Sequence, residues 1–387
     1  MDIKALAKEA EAYIIERRRW YHAHPELTWE EVNTRAQIHA DLVALGVDEI
    51  HDMESCYGLV ATIKGGKPGK TVAIRADIDA LPVHEESGAE FCSVVDGRMH
   101  ACGHDCHIAM LLGAVKILVS VKDELCGDVR IIAQPAEEVC GGAKKMIEEG
   151  CLKGVDAIYG AHIWGNFDAS YIDVTAGPRM AYAGIFDIDI EGVAAHGSAP
   201  HLGIDAITAA AAVIQNVQQY VSRMNDPLNP LVCTIGTIEG GSRFNVIPNH
   251  VHMTGTLRAY TGERHKEVLT RIIENTCAAL GCKGTLKYDD IVGALCNESE
   301  ELNQIARNAV TKLSGAESLG YLEKMLGSED FAYYGQYVPA VFAFIGSRNP
   351  EKGLIYTNHH EKYMPDEDTL QRGSGVMAQF VVDFLNR

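Results

Sequence analysis

The feature that most restricts the fold is a change of pattern in the middle of the chain. Up to about residue 180, β-rich runs alternate with helical ones. "GLVATIKG" (58–65), "TVAIRADID" (71–79), "DVRIIAQPAEE" (128–138) and "AIYGAHIW" (157–164) are interleaved with helix patterns at Ile3–Glu16, at Thr34–Leu45 and in "HIAMLLGAVKILVSV" (107–121). Such alternation predicts an α/β domain with a mostly parallel sheet covered by helices. Near Ala181 the period becomes two, in "IFDIDIEGVAAHGS" (185–198). A long helix pattern (205–224), two strands (231–241 and 250–260), a second helix (263–280) and a last strand (284–290) follow. That order, β-α-β-β-α-β, is of the split-βαβ, ferredoxin-like type. The helix "ELNQIARNAVTKL" (301–313), the run "PAVFAFIGS" (339–347) and a terminal helix then return to α/β texture. The expected organisation is one α/β domain built from 1–183 and 294–387, with a smaller α+β domain inserted at 184–293.

A chain of 387 residues accommodates two such domains. With 47% hydrophobic and 22% charged residues it reads as globular, and no apolar run approaches the ~20 residues that span a bilayer. The start, "MDIKALAKEAEAYIIERRRW", is charged throughout and lacks the apolar core of a secretory signal. The eleven cysteines lie scattered through apolar segments, which fits a reducing compartment without a disulfide framework, so the expected location is the cytoplasm. A net charge of −19 argues against nucleic acid and anionic membranes as partners. The basic run Arg17–Arg19 reads as a solvated helix face.

Ligands of open α/β sheets gather beyond the carboxyl ends of strands. "AIRADID" ends in Asp77 and Asp79, "IIAQPAEE" in Glu137 and Glu138, and "IYGAHIW" just past His162. "MHACGHDCH" (99–107) precedes an apolar helix, and "TNHHEKYMPDE" (357–367) follows a late strand. One edge can therefore gather Cys102, His104, Glu138, His162 and one of His359 and His360. Thiolate, imidazole and carboxylate suit Zn(II), Mn(II), Co(II) or Ni(II), and two such ions can share a site that polarises a carbonyl. Of two adjacent glutamates, one can ligate while the other serves as base.

Ten short motifs in order carry a resemblance that runs almost end to end: "RRWYHAHPELTWEE", "RADIDALP", "MHACGHDCH", "QPAEE", "GAHIW", "GVAAHGSAPHLGIDAI", "NVIPN", "GTLRAY", "GSEDFAYY" and "NHHEKYMPDE". On these the chain resembles the dinuclear-metal amidohydrolases of the aminoacylase and carboxypeptidase superfamily, which include hippurate, N-acyl-amino-acid and indoleacetyl-amino-acid hydrolases. The resemblance implies a metallopeptidase catalytic domain with a dimerisation or lid insert. It implies two divalent transition-metal ions per subunit, held by Cys102, His104, Glu138, His162 and His359, with Glu137 as base. His359 is preferred to His360 on alignment with the later "DE", although Glu361 stands where relatives carry proline. Asp77 is expected to orient a ligand histidine, Cys106 to be structural, and His107 to support the ligands.

The insert carries His196, expected to reach the neighbouring subunit's site and stabilise the oxyanion, and Asn245 and Arg258, expected to hold the substrate carboxylate. The implied substrate is a small N-acyl amino acid, hydrolysed to a carboxylic acid and a free amino acid by a homodimer paired through the insert. The alternatives are a dipeptidase or carboxypeptidase, a specialised deacylase acting on N-acetyl-diaminopimelate or aminobenzoyl-glutamate, and a metal-binding homologue without catalysis. A thiol hydrolase using Cys102 and His104 is disfavoured by their closeness in sequence.

Overall fold

A computed structural model describes residues 1–262 and 264–387. The chain divides into two compact units. One comprises Met1–Arg179, Cys296–Glu323 and Asp330–Arg387, and the other Met180–Leu295 with Lys324–Glu329.

The larger unit holds a seven-stranded sheet. Helices α1 (Ile3–Ala23) and α2 (Val32–Leu45) lead into strands β1 (Glu49–Asp52), β2 (Leu59–Ile63) and β3 (Lys67–Asp77). Helix α3 (His104–Ser120), β4 (Cys126–Gln134), α4 (Gly142–Glu148), β5 (Ala157–Asp168) and β6 (Ile172–Asp173) follow. The chain enters the second unit along β7 (Gly177–Met180). There it forms β8 (Tyr182–Glu191), β9 (Ala195–His196), α5 (Ala206–Gln219), β10 (Leu231–Gly240), β11 (Val246–Ile247), β12 (His250–Ala259), α6 (His265–Ala279) and β13 (Lys283–Val292). It leaves along β14 (Leu295–Asn297) and completes the larger unit with α7 (Glu300–Ser314), β15 (Ala340–Arg348) and α8 (Leu370–Leu385).

The large sheet has the order β1-β2-β4-β3-β5-β15-β6. Its central strands β4, β3, β5 and β15 are mutually parallel, and the edge pairs are antiparallel. The carboxyl ends of the strands bearing Asp77, Gln134 and His162 therefore point the same way. Helix α3 is apolar on nearly every side, with Ile108, Leu111, Leu112, Val115 and Leu118 fully buried. It therefore becomes an internal helix, touching α1 and α8. Asp2 caps α1 by accepting the Ala5 amide at 3.0 Å, and α2 stops at Gly46, whose φ is +78°.

Two expectations need correction here. The strand read through "DVRIIAQPAEE" stops at Gln134, because Pro135 has no N–H to continue a ladder and Ala136 takes a positive φ of 53°. The basic run Arg17–Arg19 is solvated only in part, since Arg19 is exposed but its neighbours are not. Arg18 is only 1% exposed, and its Nε donates to Asp105 at 2.8 Å, while Arg17 and Arg19 pair with Asp41 and Glu367. Local periodicity cannot reveal a partner 87 residues away.

In the second unit β10, β12, β8 and β13 form a four-stranded antiparallel sheet in that order. Alternation along β8 buries Phe186, Ile188 and Ile190, which join Val251 and Met253 of β12, Val213 and Val217 of α5, and Leu269 and Ile273 of α6 in one core. Asp205 caps α5 through the Ile207 and Thr208 amides. The helix expected from Glu263 starts at His265; Glu263 itself lies outside the described residues. Among the described residues no helix is long and apolar enough to cross a membrane, and the eleven cysteines are free thiols.

Candidate metal centre

The site begins at the ends of β3 and β4. Asp79, two residues past β3, is fully buried. Its carboxylate accepts the backbone amides of Glu137 and Glu138 at 3.1 and 3.2 Å and the Thr28 hydroxyl at 2.7 Å, and lies 3.2 Å from Nδ1 of His104. Glu31 accepts the amide of Ala136 at 2.8 Å. The "QPAEE" turn is thus held from below by two carboxylates belonging to other motifs, each replacing a lost strand partner.

His104 opens α3 directly after Gly103, whose φ is +93°. A Cβ at Gly103 would stand 2.6 Å from Cγ2 of Ile163, so only glycine makes this entry without strain. His104 Nδ1 lies 2.9 Å from the carbonyl of Asp79 and His162 Nδ1 lies 2.6 Å from that of Ile163. A carbonyl only accepts, so both rings carry Nδ1–H and turn Nε2 inward, the atom each would offer to a metal. That is how proteins set imidazoles for ligation.

Cys102 stands between the rings of His162 and His359, its Sγ 3.4 Å from His162 Nε2 and 3.3 Å from His359 Nε2. Oε1 of Glu138 is 3.8 Å from His359 Nε2 and 4.0 Å from His104 Nε2, and Oε2 of Glu137 is also 4.0 Å from His104 Nε2. The structure therefore brings Cys102, His104, Glu138, His162 and His359 into one cluster with Glu137 beside it. Three overlapping groups of these residues have ligand atoms within 4.8 Å of one another: Cys102, His104 and His162; Cys102, Glu138 and His359; and His104, Glu137 and Glu138. His359 has a φ of +70°, and its amide donates to Ala101 at 2.7 Å. The side chain of Asn358 ties the same loop to the carbonyls of Cys102 and Ile163. His360 instead packs on Tyr356 at 4.3 Å between ring centres and accepts the Lys362 amide.

Asp77 lies closest to His107, whose Nε2 accepts the Ile163 amide at 2.8 Å, and it also takes Arg75 Nη1 at 2.8 Å. Its distance to His104 Nε2 is 3.7 Å. Both nitrogens of His107 are thus committed to the protein, and the group beside Nδ1 of His104 is Asp79. Cys106 is fully buried in the first turn of α3. Behind that turn Asp105 takes Arg18 and also lies 2.8 Å from His22 Nδ1, whose Nε2 is 3.0 Å from Glu85.

Two atoms test whether metal ions fit. His104 Nε2 and Glu138 Oε1 are buried, and neither has a hydrogen-bond partner. Each such atom costs about 1–3 kcal/mol. A divalent cation satisfies both, and soft thiolate with imidazole and carboxylate is a transition-metal donor set. Burial raises the Cys102 thiol well above its usual range, with the Glu138 charge adding to the effect. Burial likewise pushes Glu138 up to about 7, against the pull of His104. Nearby cations reverse both shifts, whereas a thiolate nucleophile without one would be suppressed.

In the second unit, His196 (β9) pairs with Val246 (β11), and the Gly197 amide donates to the Asn245 carbonyl at 2.8 Å, so His196 and Asn245 are neighbours. Oδ1 of Asn245 is buried without a partner. Arg258 lies on β12, level with Ala183 and Val232, and donates to Thr256 and the carbonyl of Leu257.

An α/β sheet edge that collects thiol, imidazole and carboxylate ligands beside a further carboxylate fits a metal-dependent hydrolase of amide bonds. Peptidase family M20/M25/M40 matches residues 73–383, and the chain belongs to that family. It is 39% identical over 391 residues to thermostable carboxypeptidase 1 of Saccharolobus solfataricus, covering 100% of this chain and 98% of that one. It is 36% identical over 390 residues to the IAA-amino acid hydrolase ILR1-like 2 of Arabidopsis thaliana, covering 98% and 87%. Among solved structures, a dinuclear metal binding peptidase of the M20 family from Bacillus subtilis superposes with a TM-score of 0.86 at 34% identity, covering 98% of this chain and 99% of that one.

Sequence reasoning missed Asp79 as a support of His104 and of both glutamates. The available signal was a second aspartate two residues beyond a strand-end aspartate, in a stretch where the strand has already ended.

Proposed function

We propose that the protein hydrolyses small N-acyl amino acids, with Cys102, His104, Glu138, His162 and His359 holding two divalent ions and Glu137 acting as general base. The observation that carries this reading is the placement of Glu137. Its carboxylate is 4.0 Å from His104 Nε2, as is that of Glu138, and its backbone is fixed by Asp79, so with Glu138 taken as the ligand a second carboxylate is held beside the cluster to serve as base. Two ions of the Zn(II), Mn(II), Co(II) or Ni(II) class, when bound, polarise the scissile carbonyl and lower the pKa of water towards ~7.

Glu137 takes a proton from the attacking water as its oxygen bonds to the carbonyl carbon. It returns that proton to the nitrogen as the C–N bond breaks, giving a carboxylic acid and a free amino acid. His196, supplied by a partner subunit paired through the Met180–Leu295 unit, donates to the developing oxyanion; such a donor contributes ~3–4 kcal/mol. Arg258 and Asn245 receive the substrate carboxylate, for which a guanidinium fork is well shaped. The proposed setting is a cytoplasmic homodimer.

The test is release of free amino acid from N-acetyl, N-benzoyl and N-indoleacetyl amino acids and from dipeptides by protein loaded with Mn(II) or Zn(II). Turnover of the acyl amino acids supports the reading, and cleavage of dipeptides alone replaces it with a peptidase. Mixing Glu137→Gln with His196→Ala restores activity if the histidine acts across subunits, and leaves both inactive if it does not.

A further inference from the structure

Three strained residues meet at the turn that carries Glu137 and Glu138. Among the described residues, five other than glycine have a positive φ, and Trp29, Ala136 and Cys140 are three of them, at +65°, +53° and +52°. Ala136 and Cys140 bracket the two glutamates. The turn they close is tight: the Ala136 carbonyl accepts the amides of Gly141 and Gly142, each at 3.2 Å, and the Glu137 carbonyl accepts that of Cys140 at 2.7 Å. A left-handed backbone at a residue with a Cβ persists only where its surroundings hold it.

Part of what holds it comes from residues 27–31. The Glu30 amide donates to the Leu27 carbonyl at 2.8 Å, and the turn so closed puts Trp29 third, at a φ that turns give to glycine or asparagine. Its neighbours are anchored to the site, Thr28 on Asp79 and Glu31 on the Ala136 amide. The indole between them lies against Gly141, where a Cβ would stand 2.9 Å from Cζ2 of Trp29. Gly141 has φ −115° and ψ −27°, in the right-handed region open to any residue, so this glycine serves the contact and not the backbone. The Lys145 ammonium of α4 stands 5.1 Å from the indole ring centre, within cation–π range. The ring thus spans from the exit of the turn to the helix that follows it.

We propose that Trp29 is a positioning residue for the catalytic base: its indole braces the exit of the 136–142 turn while Glu31 braces the entry, and the left-handed backbone at residue 29 is what turns the ring towards Gly141. The proposal rests on the reading of Glu137 as base. The brace acts on the turn's backbone and touches neither substrate nor metal ligands, so its loss displaces the Glu137 carboxylate without removing any group from the site.

The test reads backbone hydrogen exchange of 136–142 by mass spectrometry, together with kcat, KM and bound ions at saturating Zn(II) or Mn(II), for Trp29→Ala, Trp29→Gly, Trp29→Phe and Gly141→Ala. Trp29→Ala and Gly141→Ala should both exchange this segment faster than wild type. Both should lose about 100-fold in kcat with KM near wild type, since ~1 Å at the base is enough for that, and ion content should not change. Trp29→Gly removes the strain along with the ring, so it should be more stable than Trp29→Ala yet no more active, whereas Trp29→Phe keeps a ring and should recover most of the turnover. In a Trp29→Ala background the change Gly141→Ala should add nothing, because the clash has gone. Unchanged exchange in folded Trp29→Ala or Gly141→Ala overturns the proposal, as does turnover that returns with stability in Trp29→Gly. Faster exchange with unchanged turnover also overturns it. If wild type cleaves no amide, the reading of Glu137 fails by itself, and exchange alone decides whether the indole braces the turn.

Discussion

Replacing Asp79 by asparagine separates the ligands from their support. The carboxylate accepts the Glu137 amide with Oδ1 and the Glu138 amide and Thr28 hydroxyl with Oδ2, all out of water. Asparagine keeps one acceptor. With its oxygen at the Glu137 position, its NH2 faces the Glu138 N–H; the Thr28 hydroxyl can rotate to accept, but the amide cannot. The Glu138 N–H then loses its charged acceptor and is left as an unmet buried donor, at about 1–3 kcal/mol. The metal-free variant should therefore unfold about 1–3 kcal/mol more easily in urea.

The same change frees the "PAEE" turn and the His104 ring. Affinity for metal should fall about 10–100-fold, as for other groups that orient ligands. A displacement of the base by ~1 Å slows turnover ~100-fold, with KM for an N-acyl amino acid nearly unchanged. Thr28→Ser should stay close to wild type, because the hydroxyl is retained. A stability loss below ~1 kcal/mol together with unchanged turnover and metal affinity would refute the assignment of Asp79 as a positioning residue.

Gly103→Ala must place a Cβ 2.6 Å from Ile163 at a φ of +93°, and should cost about 1–3 kcal/mol by denaturant melt. Arg18→Met leaves Asp105 buried beside His22 without its guanidinium, and should destabilise by about 3–5 kcal/mol in the same assay. Glu85 offers a pH signature. Burial works to raise its carboxyl, but bonds from His22, Ser87 and the Ser93 amide hold it at about 2. Since this folded value lies below the unfolded one of ~4.3, its contribution is complete above that pH and is lost as pH falls towards 2. Urea midpoints of wild type should drop more steeply between pH 5 and 3 than those of Glu85→Gln.

The parts legible in the sequence are those that repeat or stand at strand ends. Alternation in β8 and the apolar length of α3 are local signals, and each survives because the same residues form the core. Cys102, His104, Glu138 and His162 could be singled out because ligand-type residues followed strands or opened an apolar helix. The choice between His359 and His360 could not be made from periodicity in an irregular loop. The structure separates them through a positive φ and one amide bond to Ala101. Arg18, Thr28 and Glu31 were hidden for another reason. Their partners Asp105, Asp79 and Ala136 come from distant segments, so nothing in a local window distinguishes them from surface charge.

The most direct test of the central claim measures metal content and turnover together in Glu137→Gln, using an N-acyl amino acid that wild type hydrolyses. A base beside, but outside, the ligand set predicts that turnover slows by about two to four orders of magnitude or more, with the same number of bound ions per chain as wild type. Loss of an ion along with activity would make Glu137 a ligand, and near wild-type turnover would contradict its role as base.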